Sequence, residues 1–145
     1  KTRFGDEKGT NPEELLAAAH AGCFSMALSL VLGQAGFVAD SINTRAEVTM
    51  EPGMSPGPTV TGVTLVLNAK VPGIDAAQFQ QIAEGAKAGC VISRALSVPV
   101  SLSATLLFRG LSFWLPMLPK VSTPRLPPEM RKVLSPKQNL WVCVK

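Results

Sequence analysis

From Leu15 to Leu32 the chain is apolar on nearly every side of a helix, and this run limits what can be built around it. The start is well marked. Asn11 suits the N-cap, Pro12 the first helical position, and Glu14 the third, where its carboxylate can reach back to the cap. Glu13 and Glu14 also favour the positive end of the helix dipole. The pattern predicts a helix continuing to Ala35, with Gly36 as the stop. At 1.5 Å per residue it spans about 36 Å. A helix apolar all round is either buried on all sides or crosses a membrane. His20, Cys23, Ser25 and Ser29 interrupt the run, and no Lys/Arg flank marks a cytoplasmic side. Both features favour a buried helix and no membrane partner, with a membrane-inserted helix as the competing reading.

The elements that follow look like those of a soluble domain. Residues 42–51 alternate and read as a strand. Pro52 to Pro58, with two glycines, read as a turn, and residues 59–70 are β-branched and read as the hairpin partner. Val71-Pro72-Gly73 breaks the strand. Asp75 then caps a helix of about fourteen residues ending near Gly89, with Phe79, Ile82, Ala83 and Ala86 on one apolar face. Residues 98–108 form a last strand. The order helix, two strands, helix, strand predicts an α+β fold with an antiparallel sheet. A length of 145 residues suits one domain of ordinary size, and with no tyrosine the core must be largely aliphatic.

The net charge of +4 is unevenly spread. Residues 1–109 carry eight Lys/Arg against nine Asp/Glu, and residues 110–145 carry six against one. The basic character therefore belongs to the tail. The body has no basic stripe with interleaved aromatics, which argues against nucleic-acid binding. Six of the twelve prolines and both tryptophans, Trp114 and Trp141, lie in 110–145. Proline at that density prevents continuous ladders. The chain thus divides into a domain at 1–109 and a Pro-rich basic tail at 110–145, expected to be poorly ordered or loosely docked. The alternative is that Phe113, Trp114 and Leu115 cover bare sheet surface. The first residues include neither an initiator Met nor an apolar leader, which suggests a start inside a longer protein.

The chemistry-bearing residues are few. Cys23 lies within the apolar helix and Cys90 at the end of the second helix, with Cys143 as a third thiol. Without a leader, such cysteines suit a reducing, cytoplasmic compartment, where paired thiols are more often redox-active than structural. The plain alternative for Cys23 is a buried small hydrophobe. Cys90 follows a helix C-terminus, where the dipole does not favour a thiolate, so it reads as a resolving thiol rather than a nucleophile. His20, one turn before Cys23, reads as a core or interface histidine. A zinc site is disfavoured, because one histidine and two distant cysteines lack both CxxC spacing and a fourth ligand. Arg3 and Glu13 read as a surface charge and a first-turn acid. About 15 Å of helix axis separates Glu13 from Cys23, so any action of one on the other must pass through Arg3 or come from another subunit.

Thr2-Arg3-Phe4 followed by Asn11-Pro12-Glu13-Glu14-Leu15-Leu16-Ala17-Ala18-Ala19-His20-Ala21-Gly22-Cys23-Phe24-Ser25-Met26-Ala27-Leu28 resembles the central helix of the OsmC/Ohr family. Val71-Pro72-Gly73-Ile74-Asp75 and Ala86-Lys87-Ala88-Gly89-Cys90-Val91-Ile92-Ser93 resemble its second helix and second cysteine motif. The match runs from residue 1 to about 107. The resemblance implies an antiparallel sheet wrapped on a long buried central helix, here without the family's N-terminal strands. It implies a cofactor-free, stress-related peroxidase that reduces organic hydroperoxides, with Cys23 peroxidatic and Cys90 resolving, and with Arg3 and Glu13 orienting and activating the thiolate. It further implies a homodimer with active sites at the subunit interface and an external dithiol as reductant. The apolar surroundings of Cys23 would favour fatty or aryl hydroperoxides. Two further departures stand out beside the missing strands: Val91 replaces the family's usual proline after the second cysteine, and the tail matches nothing in the family. The competing reading is a non-catalytic member that serves only as a dimerisation module.

Overall fold

The computed structural model describes residues 9–107 and the strand 138–144. Helix α1 runs Pro12–Gln34. Its start follows from the cap: Asn11 is extended, and the Glu14 N–H donates to Asn11 Oδ1 at 2.9 Å. Its end is equally local. Gly36 adopts φ +83, a left-handed conformation that favours glycine, and its N–H donates to the Gly33 carbonyl at 3.1 Å. The Phe37 N–H then donates to the Leu32 carbonyl at 2.9 Å, completing a Schellman stop.

Strands β1 (Ser41–Glu51) and β2 (Thr59–Lys70) form an antiparallel hairpin. Helix α2 (Ala76–Gly89) starts where the Gln78 N–H donates to Asp75 Oδ1 at 2.8 Å. A short helix α3 (Val91–Ala95) follows, then β3 (Val100–Leu106). Strand β4 (Gln138–Val144) completes a four-stranded sheet of order β3-β2-β1-β4.

The α+β class and the sheet packed on a long helix are as expected, but the sheet is mixed. β3 runs parallel to β2 because the connection between them carries α2 across the face of the sheet, so the chain re-enters from the same end. β4 also runs parallel to its neighbour β1. The tail was expected to be poorly ordered or loosely docked, and no strand was foreseen in it. Gln138–Val144 departs from that expectation, because the outer edge of β1 offers unpaired backbone groups that a strand can satisfy. Phe113, Trp114 and Leu115 lie outside the described residues, as does the remainder of 108–137.

One face of α1 is buried: Ala17, His20, Ala21, Phe24, Ser25, Leu28 and Leu32. They meet the inward residues of β1 and β2, where Ile42, Ala46, Val48, Val63, Leu65, Leu67 and Ala69 are buried. Phe79, Ala83 and Ala86 of α2 close the core. Burying a side chain such as Phe24 or Leu28 contributes about 1.5–3 kcal/mol. The described residues of one chain do not cover the helix all round. Leu15, Met26 and Leu30 are 59%, 64% and 63% exposed, because a single sheet layer can cover only one side.

One polar contact crosses this core. Ser25 Oγ donates to Thr44 Oγ1 at 2.7 Å, joining α1 to β1, and both residues are buried. Thr44→Val leaves the Ser25 hydroxyl unsatisfied and should cost about 1–3 kcal/mol. Pairing it with Ser25→Ala removes both polar groups, so the double variant should be no less stable than Thr44→Val alone. Denaturant unfolding of the three variants measures this coupling.

Candidate functional site

Cys23 and Cys90, distant in sequence, meet in the fold. Cys23 sits midway along α1, on the flank between its buried and exposed faces. Cys90 is buried at the junction of α2 and α3, serving as C-cap of one and N-cap of the other. Both are free thiols. The Cys90 Sγ–H donates to Cys23 Sγ at 3.3 Å.

The surroundings of Cys23 favour its thiolate. Partial burial pushes the thiol up, but the Ile92 N–H, the Cys90 Sγ–H and the Val91 N–H all point at the sulfur and together pull it below its ordinary value. These donors were not legible in the sequence, which suggested only that Cys90 ends a helix. The chain starts a second helix at once, and α3 turns its first N–H groups towards Cys23. Val91, standing where the resemblance implies proline, supplies an N–H that proline lacks. The one available sequence signal was the apolar pair Ile92 and Leu96, four residues apart and both packed on the core.

His20 is fully buried and its Nε2 lies 2.7 Å from Ser93 Oγ, while its buried Nδ1 has no partner among the described residues. A bare acceptor nitrogen is tolerated better than a bare N–H, which favours the tautomer in which Nε2–H donates to Ser93. Burial holds His20 below the usual imidazole range, because the charged ring would lose its hydration. The unfolded chain therefore takes up a proton that the folded chain refuses. Stability should be insensitive to this group above about pH 6.5 and should fall as pH drops below it. As His20 is the single histidine, His20→Gln should flatten the slope between about pH 6.5 and 5.5, as read from unfolding midpoints across pH.

The structure does not bring Glu13 to Cys23 within the chain. Glu13 is half-buried in the first turn of α1, about 15 Å along the axis from Cys23. Arg3 lies outside the described residues. Among the described residues, no cluster of three or more His, Cys, Asp or Glu is arranged to hold a metal ion.

The OsmC-like protein family profile matches residues 5–104. The chain belongs to the OsmC-like family. Peroxiredoxin OsmC of Escherichia coli K12 is 52% identical to it over 101 residues, which is 70% of each chain. The organic hydroperoxide resistance protein of Xanthomonas axonopodis pv. citri is 33% identical over 100 residues, covering 68% of this chain and 67% of that one. Among solved structures, OhrB of Bacillus subtilis, an organic hydroperoxide resistance protein, superposes with a TM-score of 0.60 at 32% identity, covering 68% of this chain and 73% of that one. An OsmC-like chain with this thiol pair has what two-electron sulfur redox chemistry requires: a partly accessible thiol biased towards thiolate, and a second thiol within bonding reach. Helix α1 is long and apolar enough to span a membrane, but in this fold it is the core helix, tied to the sheet by Ser25 and Thr44.

Proposed function

We propose that the chain is a peroxidase-type enzyme that reduces organic hydroperoxides to alcohols through Cys23 and Cys90. The observation that carries this reading is the 3.3 Å contact between the two sulfurs, one of them biased towards thiolate. The Cys23 thiolate attacks the outer oxygen of the O–O bond, and the alkoxide leaves, taking a proton to become the alcohol. The sulfur is now a sulfenic acid. Cys90 attacks that sulfur, water leaves, and a Cys23–Cys90 disulfide remains. An external dithiol reduces the disulfide and is itself oxidised, restoring both thiols. No metal or cofactor is needed for the electron count. The names of the relatives, peroxiredoxin and organic hydroperoxide resistance protein, support the reaction class.

Arg3 and Glu13 complete the proposal. A guanidinium near Cys23 would favour the thiolate and donate to the peroxide oxygens, and a carboxylate would hold it by paired hydrogen bonds. The helix distance requires Glu13 to act through Arg3 or from a second copy. A homodimer fits the uncovered side of α1. Leu15, Met26 and Leu30 form an apolar stripe, and Met26 lies one turn from Cys23. A second copy laid on it would bury the stripe and enclose the site, giving an apolar pocket suited to alkyl or aryl peroxides. The free thiols suit a reducing compartment such as the cytoplasm. The test is consumption of cumene hydroperoxide by the purified chain with dithiothreitol as the reductant. Catalytic turnover supports the reading. A rate equal to that of dithiothreitol alone would sink it and favour a non-catalytic dimerisation module.

A further inference from the structure

Helix α3 carries most of what acts on Cys23, yet little holds it in place. It has five residues and none of them is buried. Its N-cap, Cys90, makes no side-chain capping bond. A helix this short has no stability of its own, so contacts with its neighbours must hold it. Ile92 and the C-cap residue Leu96 contribute partial burial, which is non-directional and does not by itself set the position of the helix. Among the described residues, two bonds between side chains join α1 to the Cys90–Ala95 segment, the thiol contact itself and the bond between His20 and Ser93, beside the Val91 and Ile92 N–H groups aimed at the Cys23 sulfur.

These two bonds are in register. His20 is three residues before Cys23 on α1, and Ser93 is three residues after Cys90 at the start of α3. The His20–Ser93 bond therefore fixes α3 one turn away from the sulfurs on both partners. His20 is a costly residue for this place, because its polar ring is fully buried. A leucine or phenylalanine would fill the space without that penalty, so packing alone does not account for an imidazole here.

We propose that His20 is a positioning residue for the thiol couple: through Ser93 it fastens α3 so that Cys90 Sγ, and the Val91 and Ile92 N–H groups with it, stay aimed at Cys23. The inference rests on the two-thiol reading of the site and adds a residue that acts on neither sulfur directly. Its effect belongs to the closure step, in which the Cys90 thiolate attacks Cys23 sulfur, the S–S bond forms, and the group held on Cys23 leaves with the electron pair. A misplacement of about 1 Å in such a step can cost ~10²-fold in rate.

Dipyridyl disulfide tests closure without a peroxide. In the full chain carrying Cys143→Ser, so that only the couple reacts, the Cys23 thiolate takes one thiopyridyl group and releases the first thiopyridone. Cys90 then displaces the second, and both releases are followed by absorbance. His20→Phe keeps the volume and removes the bond. Ser93→Ala removes it from a half-buried position where folding is not at risk. His20→Gln keeps an amide N–H near the position of Nε2. We expect the second release to slow by ~10-fold or more in His20→Phe and Ser93→Ala alike, and to recover at least partly in His20→Gln. A merely structural histidine would shift the unfolding midpoint and leave the closure rate alone. Second-release rates within about twofold of the parent in both variants overturn the inference, as does slowing in His20→Phe but not in Ser93→Ala. If the parent itself releases only one equivalent, Cys90 does not resolve Cys23, and the two-thiol reading falls with this inference. If the parent closes and fails only with peroxide, the peroxidase reading alone is lost.

Discussion

Cys23→Ser should abolish hydroperoxide turnover, lowering it by ~10³-fold or more, to the rate of the reductant alone. A serine hydroxyl at this position is fully protonated near neutral pH and is no nucleophile towards an O–O bond. Its volume is close to that of cysteine, and Cys23 is only partly buried, so the fold should survive and the loss should be chemical. Cys90→Ser should behave differently. The Cys23 thiolate keeps the Ile92 and Val91 N–H donors, so one equivalent of alcohol should still form rapidly. Sustained turnover should then fail, because the sulfenic acid has no partner and advances to sulfinic acid with excess peroxide. Rapid-quench measurement of alcohol, alongside steady-state peroxide loss, separates the two variants. Equal loss of the first turnover in both would mean that Cys90 does more than resolve.

Met26→Glu should have the second large effect. Met26 is 64% exposed in the single chain and stands in line with Leu15 and Leu30. If two copies meet along this stripe, a two-fold interface carries the substitution twice, one carboxylate from each copy. Each buried charge at such a centre costs about 2 kcal/mol or more, so the pair should weaken the dimer by ~10³-fold. Sedimentation of the parent chain should give a dimer at micromolar concentration and of the variant a monomer. The monomer should keep its folded circular dichroism, since the substitution lies away from the buried face, and should lose most of its peroxidase rate. A parent chain that sediments as a monomer would remove the dimer from the account.

Much of this molecule was legible because its signals are local. The α1 cap at Asn11, the stop at Gly36, the β2 bounds and the α2 cap at Asp75 depend on residues within one turn, and all stand as the sequence suggested. Strand direction was less legible, since β3 is set by the route of α2 across the sheet rather than by its own residues. Strand β4 was missed because the prolines dominate the composition of 110–145, while Gln138–Val144 contains none and finds its partner far away in β1. The all-round apolarity of α1 was read as deep burial, and among the described residues of one chain that burial takes in one face and leaves Leu15, Met26 and Leu30 exposed.

The site divides in the same way. Cys23 and Cys90 stand out because thiols are rare in the chain and each sits in a recognisable motif. The donors that tune Cys23 do not, because they are backbone N–H groups of Val91 and Ile92, and any residue but proline offers one. Ser93 closes the second cysteine motif, but nothing in the sequence singles out its hydroxyl. Its part depends on His20, whose imidazole reads as an ordinary core residue until the 2.7 Å contact is seen.

The central claim is that Cys23 and Cys90 exchange two electrons with a peroxide as a pair. Mass spectrometry of the chain after one equivalent of cumene hydroperoxide tests it most directly. The account predicts a loss of two hydrogens from the intact mass and a proteolytic fragment joining the Cys23 and Cys90 peptides, reversible by dithiothreitol. Gain of oxygen at Cys23 with Cys90 still alkylatable, or a disulfide joining either of them to Cys143, would contradict it.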